Sequence, residues 1–197
     1  KSWKVRLAGL LLLMAFGLYG GGTALIAQNA APLGLVLILA NSIAVAAIGL
    51  LLYPALSQLA LPVAQIYRAG RLIEAVLLAI GAVLVVFALP GQGQPFYQIA
   101  MIVLGLSSLG LCTLLRGRGR AFGWLGLLGL IGYQLLIAAM IADLLGAGPW
   151  VVWLLIPSML FEFAFGAALV SSGRLGPEPQ IPTPAAAAPS QEPSKGP

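Results

Sequence analysis

The sequence predicts an all-α membrane protein, a polytopic bundle of six transmembrane helices followed by a disordered C-terminal tail. Three observations predict this fold class. Of the 197 residues, 60% are hydrophobic and only 8% are charged, whereas soluble domains carry about 25% charged residues. Six apolar runs each approach the ~20 residues that a helix needs to cross a bilayer. The basic residues fall in alternate links between those runs.

The limits of the runs follow from Gly- and Pro-rich turn signals at residues 29–32, 90–95 and 146–149. The first run is longer than the ~7–15 residues of a signal-peptide core, which predicts a retained membrane anchor. The predicted spans are Arg6–Ala27, Leu33–Leu56, Arg71–Leu89, Phe96–Leu115, Phe122–Leu145 and Trp150–Ser171.

The link at residues 57–70 is moderately apolar and contains Pro62. It is predicted to lie along the membrane interface as a broken amphipathic turn; the alternative is a second helix that continues past Pro54. The third span then begins at Arg71, with Glu74 one turn later on the same face. These two residues are predicted to form a structural ion pair that snorkels to the interface.

The chain is predicted to divide into a transmembrane domain, residues 1–173, and a tail, residues 174–197. The tail is rich in proline and alanine, a composition that cannot build a core and predicts disorder.

The positions of the basic residues predict the orientation of the bundle. They precede the first run, lie in the second and fourth links, or follow the sixth run, and the other three links contain none. By the positive-inside rule, both termini are predicted to be cytoplasmic, in a multi-pass protein of the cell inner membrane. Anionic lipid head groups are the partners that such a basic surface attracts. The residues concerned are Lys1, Lys4, Arg6, Arg68, Arg71, Arg116, Arg118, Arg120, Arg174 and Lys195.

Several functional classes are disfavoured. The chain has no histidine and one cysteine, Cys112, so the usual ligands of haem and zinc and an internal disulfide are missing. No catalytic or phosphate-binding motif occurs. The net charge of +5 reflects few acids rather than many bases. We therefore predict a protein that is not an enzyme, holds no metal or cofactor and binds no nucleic acid.

Glu162 is the ionisable residue that needs explaining. It lies about ten residues from the cytoplasmic end of the sixth run, or about 15 Å deep at ~1.5 Å per residue. An ionised carboxylate at that depth costs at least ~2.5–3.5 kcal/mol. We expect it to be protonated or hydrogen-bonded inside the bundle. Pro157 is predicted to kink the same helix and leave the carbonyl of Trp153 without its amide partner.

Two hypotheses for Glu162 stay open: a structural hydrogen bond between helices, or a site that holds a ligand or a proton. Ser158 lies one turn away on the same face, and Gly166 one turn beyond. Other polar residues at mid-depth are candidate partners. They are Asn41, Ser42, Ser107, Ser108, Tyr133 and Gln134. The predicted ligand or proton site consists of Glu162, Ser158, Asn41 and Gln134.

Small residues predict close helix contacts. Gly17 and Gly21 form a G-x-x-x-G pair in the first run. Glycines recur every three residues in the fifth run, at Gly123, Gly126, Gly129 and Gly132. Such positions allow helix backbones to approach closely in lipid, and packing within the chain is favoured over a dimer interface.

Four short segments resemble a bacterial membrane family, the domain of unknown function 4386. They are Tyr67–Val76, Gly105–Arg120, Ile131–Tyr133 and Ile156–Glu162, and the opening Arg6–Leu11 is similar too. The resemblance spans Arg6 to Gly173. It implies a six-helix membrane protein without assigned activity or catalytic residues.

We therefore predict a non-catalytic membrane protein, favouring an accessory or scaffold subunit of a larger membrane complex. The alternative is a small carrier or receptor for an apolar ligand, such as a lipid or quinone, or a proton-linked transporter that uses Glu162. An internal cavity that reaches Glu162 would favour the alternative.

Overall fold

The computed structural model describes residues 2–87 and 93–175, and this part of the chain is all-helical. Six helices are long and apolar enough to cross a membrane, which confirms the predicted fold class and makes the chain a multi-pass membrane protein. The first five are α1 (Ser2–Ala27), α2 (Ala31–Leu56), α3 (Leu61–Phe87), α4 (Gln94–Arg116) and α5 (Gly119–Leu144), and the sixth span, Pro149–Ser172, contains α6 (Ile156–Ser172). A 3₁₀ segment, Pro149–Leu155, precedes α6. The predicted disordered tail lies outside the described residues after Leu175.

The helices form a closed ring. Each helix packs against the next one in the chain, and α6 returns to pack against α1. The ring closes at Gly9 of α1, where an added methyl group would lie 2.7 Å from the backbone oxygen of Gly166 in α6. A ring of six helices surrounds an interior space, which the functional site below occupies.

One end of the ring is basic. Lys4, Arg6, Arg68, Arg116, Arg118, Arg120 and Arg174 lie at or near the start of α1, the α2–α3 link, the α4–α5 link and the end of α6. The start of α1 and the end of α6 are adjacent, since a methyl group at Gly173 would lie 2.9 Å from Nε of Arg6. We call this the basic end, and the opposite end the distal end.

The third helix begins ten residues earlier than the sequence predicts. It starts at Leu61, so the link from α2 is only residues 57–60, and the predicted interfacial turn over residues 57–70 is wrong. Pro62 is the second residue of α3. A backbone amide at that position has no intrahelical acceptor, so the missing N–H of proline costs no hydrogen bond. Arg68 lies within the helix with its guanidinium 4.3 Å from the ring centre of Tyr53. The alternative, a second helix that continues past Pro54 into the link, is wrong too: Pro54 lies inside α2, but α2 ends at Leu56 and includes none of the link.

This shift places Arg71 deep in the membrane. Arg71 lies ten residues after Leu61, or about 15 Å along the helix axis at ~1.5 Å per residue. Arg71 and Glu74 are each only 2% exposed. The prediction that this pair snorkels to the interface is therefore wrong: both side chains are buried inside the ring.

The sixth span is divided rather than merely kinked. A 3₁₀ segment runs from Pro149 to Leu155, and α6 begins at Ile156 with Pro157 in its first turn. The amide of Ile156 donates to the carbonyl of Trp153, so the tighter 3₁₀ turn supplies the partner that Pro157 cannot. The loss of a partner for that carbonyl, expected from Pro157, does not occur. Glu162 lies in the α-helical part of the span.

Glycines bring the helices together, although not all those that the sequence singles out. A methyl group at Gly22 would lie 2.9 Å from the backbone oxygen of Gly34, which makes Gly22 the close contact between α1 and α2. At Gly17, by contrast, a methyl group would meet nothing within 4 Å. In α5, Gly126 and Gly132 are in close contact with the backbones of α4 and α6, respectively.

Candidate functional site

A cavity of about 240 Å³ lies at the centre of the ring. Every helix contributes to its wall, including Leu12 of α1, Val45 of α2, Leu104 of α4 and Leu136 of α5. Most of the wall is apolar, while three ionisable residues, Arg71, Glu74 and Glu162, lie together on it. We call this space the central cavity.

The guanidinium of Arg71 organises the polar side of the central cavity. Its Nε donates to the hydroxyl of Tyr67 at 3.1 Å, and its Nη1 donates to Glu74 Oε2 at 3.1 Å. Its Nη2 donates to Glu162 Oε1 at 3.3 Å, across the ring from α3 to α6. Each nitrogen of the guanidinium therefore has an acceptor, which offsets the cost of burying the charge.

Glu162 receives a second hydrogen bond from α5. The hydroxyl of Tyr133, which is 1% exposed, donates to Glu162 Oε1 at 2.9 Å. Both donors to Glu162 use the same carboxylate oxygen. The side chain of Glu162 is 14% exposed and lines the central cavity. Its Oε2 has no hydrogen-bond partner among the described residues, and so it remains available to a bound molecule.

Arg71 and Glu162 lie at the same depth. Arg71 is ten residues from the basic end of α3, and Glu162 is ten residues from the basic end of α6. Both are therefore about 15 Å from those helix ends, near the middle of a ~30 Å hydrocarbon layer. A charged residue at this depth requires a partner. The two residues provide that partner for each other.

The polar residues predicted to surround Glu162 divide into two groups. Asn41 and Ser158 line the central cavity, whereas Gln134 does not and is exposed on the outside of α5. Gln134 therefore does not belong to this site. Successive residues of an α-helix point about 100° apart, so Gln134 points away from the direction of Tyr133. The hydroxyl of Ser158 donates to the carbonyl of Leu155 at 2.7 Å and so also stabilises the junction with the 3₁₀ segment.

Asn41 is buried without a hydrogen bond. It is 3% exposed, and its Oδ1 has no partner among the described residues. Buried polar atoms in folded proteins are nearly always paired, and an unpaired one calls for an explanation. Asn41 lines the same cavity as Glu162, so the two residues with an unpaired side-chain oxygen belong to one cavity wall.

Two tyrosines separate the central cavity from a second one. Tyr19 and Tyr97 stack with their ring centres 5.2 Å apart, and both line the central cavity and a distal cavity of about 270 Å³. The distal cavity extends toward Gly93 and Ile38. The stacked pair thus forms the partition between the middle of the bundle and its distal end.

Replacing Tyr133 with phenylalanine is expected to destabilise the protein by about 1–2 kcal/mol. A hydrogen bond to a charged group contributes roughly 1.5–3 kcal/mol, and interhelical bonds in membranes average nearer ~0.6. Equilibrium unfolding in mixed detergent micelles, followed by circular dichroism, measures the change. Tyr53→Phe is the control, because the Tyr53 hydroxyl has no hydrogen bond among the described residues. An equal loss in both variants would contradict a specific role for the Tyr133 hydroxyl.

Sequence reasoning missed Tyr67 as a partner of the charged cluster, because it began the third helix at Arg71. A signal for the longer helix exists. The residues that α3 buries recur every three or four positions. This pattern starts within the segment predicted to be a link and continues without a break into the predicted span. The buried residues are Ala64, Tyr67, Gly70, Arg71, Glu74, Ala75, Leu78, Gly81 and Ala82.

Comparison of the chain with models of protein families, with curated proteins and with solved structures gives no match. The resemblance to the domain of unknown function 4386 therefore stays a prediction.

Proposed function

We propose that this protein binds a small, largely apolar molecule in its central cavity and acts as a carrier or receptor within the membrane. The observation that carries the proposal is the cavity that reaches Glu162. A concave, mainly apolar site with a few convergent polar groups is the usual form of a small-molecule site. A dry apolar cavity of about 150 Å³ already binds benzene, and this one measures about 240 Å³.

The unpaired polar atoms support the same function. Glu162 and Asn41 both line the cavity. Both hydrogen bonds to Glu162 among the described residues are to Oε1, and the buried Oδ1 of Asn41 has no partner there. A ligand with an apolar body, such as a lipid chain or a quinone ring, would fill the cavity, and its polar group would meet Glu162.

The surroundings of α1 support access from the membrane. Phe16 and Gly20 of α1 line the cavity, and a methyl group at Gly20 would meet no atom within 4 Å. α1 packs against α6, whereas the 3₁₀ segment packs mainly against α5. The wall is therefore thin beside the distal half of α1, where an apolar molecule would enter from lipid.

Filling the cavity is expected to remove a bound molecule without unfolding the protein. Ala15 lines the cavity, and Ala15→Leu would occupy part of the space. Native mass spectrometry of protein extracted in its own lipids is expected to detect a retained small molecule in the wild type and at least about tenfold less in this variant. Ala24→Leu is the matched control, since Ala24 is exposed on the same helix. Equal retention in all three proteins would refute the proposal.

The accessory-subunit function remains a second candidate, because α1 is the least buried of the six spans. Its exposed Gly17, with open space around it, suits contact with a transmembrane helix of another protein. The same mass measurement distinguishes the two candidates. A stoichiometric protein partner would support the accessory role, and a lone chain with a small molecule would support the carrier or receptor.

The proposed orientation places the basic end in the cytoplasm. Seven of the described basic residues lie at that end, and Arg71 is the exception in the middle of α3. The positive-inside rule then favours cytoplasmic termini in a bacterial inner membrane, with the basic end against anionic lipid head groups.

A further inference from the structure

We propose that the ligand of the central cavity is a lipophilic cation, an amine whose ammonium group meets Glu162 and whose apolar body lies among the aromatic side chains. This inference rests on the proposed function and specifies its ligand class.

The charge of the cavity wall is the first argument. Arg71, Glu74 and Glu162 are the Arg, Lys, Asp and Glu residues that line the cavity in the described part of the chain. One guanidinium and two carboxylates leave a net charge of −1 when all are ionised. An uncompensated charge in a low-dielectric interior is costly, and either a proton or a bound molecule with one positive charge would offset it.

The direction of the donors is the second argument. Every nitrogen of Arg71 already donates to Tyr67, Glu74 or Glu162. The guanidinium is therefore engaged in holding the two carboxylates and the hydroxyl of Tyr67. Glu162 also lines the cavity, and its Oε2 is an acceptor that no donor among the described residues reaches. An ammonium group supplies the donors that this oxygen lacks.

The unpaired amide oxygen of Asn41 adds a second acceptor to the cavity wall, on a helix separated from α6 by α1. Asn41 lies in α2, and Glu162 lies in α6. An ammonium group carries three donors, enough for both oxygens. A quinone carbonyl or a carboxylate would instead bring only acceptors toward Glu162.

Aromatic rings complete the site. Phe16, Tyr19, Tyr97 and Tyr133 all line the cavity. The face of an aromatic ring attracts a cation within about 6 Å, and the same rings offer an apolar surface to the ligand body. Charge, acceptors and aromatic walls therefore favour one chemical class.

The experiment uses three probes that share one phenyl ring and a two-carbon arm: phenethylammonium, phenethyl alcohol and hydrocinnamate. The full chain is reconstituted in nanodiscs of zwitterionic phosphatidylcholine, and empty nanodiscs correct for partition into lipid. Calorimetric titration is expected to show saturable binding of the ammonium, at least about tenfold tighter than the alcohol. Hydrocinnamate is expected not to bind.

Glu162→Gln removes one negative charge with little change of shape and is expected to abolish the preference for the ammonium over the alcohol. Glu74→Gln brings the site to the same net charge and serves as a second variant if the first does not fold. Asp143→Asn is the matched control, because Asp143 lies at the distal end of α5, bonded to Gln98. It is expected to bind the ammonium as the wild type does.

The outcomes separate the two proposals. Equal binding of ammonium and alcohol, unchanged in Glu162→Gln and Glu74→Gln, would overturn the cationic ligand and leave the carrier or receptor function intact. Preferential binding of hydrocinnamate would overturn the cationic ligand in the same way. Failure of all three probes to bind, together with equal retention of native molecules in Ala15→Leu and wild type, would overturn both.

Discussion

Replacing Arg71 with methionine is expected to destabilise the bundle by about 3–5 kcal/mol, the cost of breaking a buried ion pair by removing one partner. Methionine keeps most of the length of the side chain but donates no hydrogen bond. Glu74 and Glu162 would then face each other's charge near the bilayer centre with no cation between them. Equilibrium unfolding in mixed detergent micelles measures the loss.

The control is the triple variant Arg71→Met, Glu74→Gln, Glu162→Gln. It removes the two carboxylate charges that the single variant strands, so it is expected to regain more than half of the lost stability, because uncharged polar groups are far less costly to bury. If the triple variant is as unstable as Arg71→Met alone, the loss comes from side-chain packing and not from the stranded carboxylates.

The size of this effect distinguishes the cluster from an ordinary structural hydrogen bond. Interhelical hydrogen bonds in membranes contribute about 0.6 kcal/mol on average. A loss several times larger would mean that the arginine holds two carboxylates in a low-dielectric environment. That arrangement would hold the carboxyl group of Glu162 in place beside the cavity, where a cation could meet it.

The six spans could be predicted from sequence because the bilayer imposes a length and an apolar composition on each of them. The charged centre could be predicted only in part. Glu162 stands out because it lies far from both ends of its run. Arg71 does not stand out in the sequence. Because it follows Pro62 and Arg68 closely, it is easily interpreted as an interfacial residue at the start of a helix. Its depth depends on a partner 91 residues away in the chain.

Tertiary partners also explain the remaining differences. Tyr133 and Gln134 are adjacent, and sequence alone offers both as partners of Glu162. The rotation of α5 about its own axis decides that Tyr133, and not Gln134, faces Glu162. That rotation depends on which face of α5 carries the glycines. Gly126, Gly129 and Gly132 are buried against the neighbouring helices, and Tyr133 follows the last of them directly. The glycine pattern therefore indicates which face of α5 is packed against other helices, but it identifies Tyr133 as the partner only when those neighbouring helices are known.

Replacing Gly132 with alanine is therefore expected to affect both stability and the site. An added methyl group would lie 2.7 Å from the backbone nitrogen of Ser158 and 2.8 Å from the carbonyl carbon of Pro157. Backbone atoms cannot rotate away as a side chain would, so α5 and α6 must separate, at a cost of about 1–3 kcal/mol. The separation would also lengthen the hydrogen bond from Tyr133 to Glu162.

Gly17→Ala is the matched control for Gly132→Ala, because it makes the same chemical change within a helix but in open space, with nothing within 4 Å. Alanine is favoured over glycine inside a helix by roughly 0.5–1 kcal/mol, so this variant is expected to be as stable as the wild type or slightly more so. Unfolding in mixed micelles compares the two variants directly. If Gly132→Ala matched Gly17→Ala, the close approach of α5 to α6 would not hold in the membrane, and neither would the placement of Tyr133 beside Glu162.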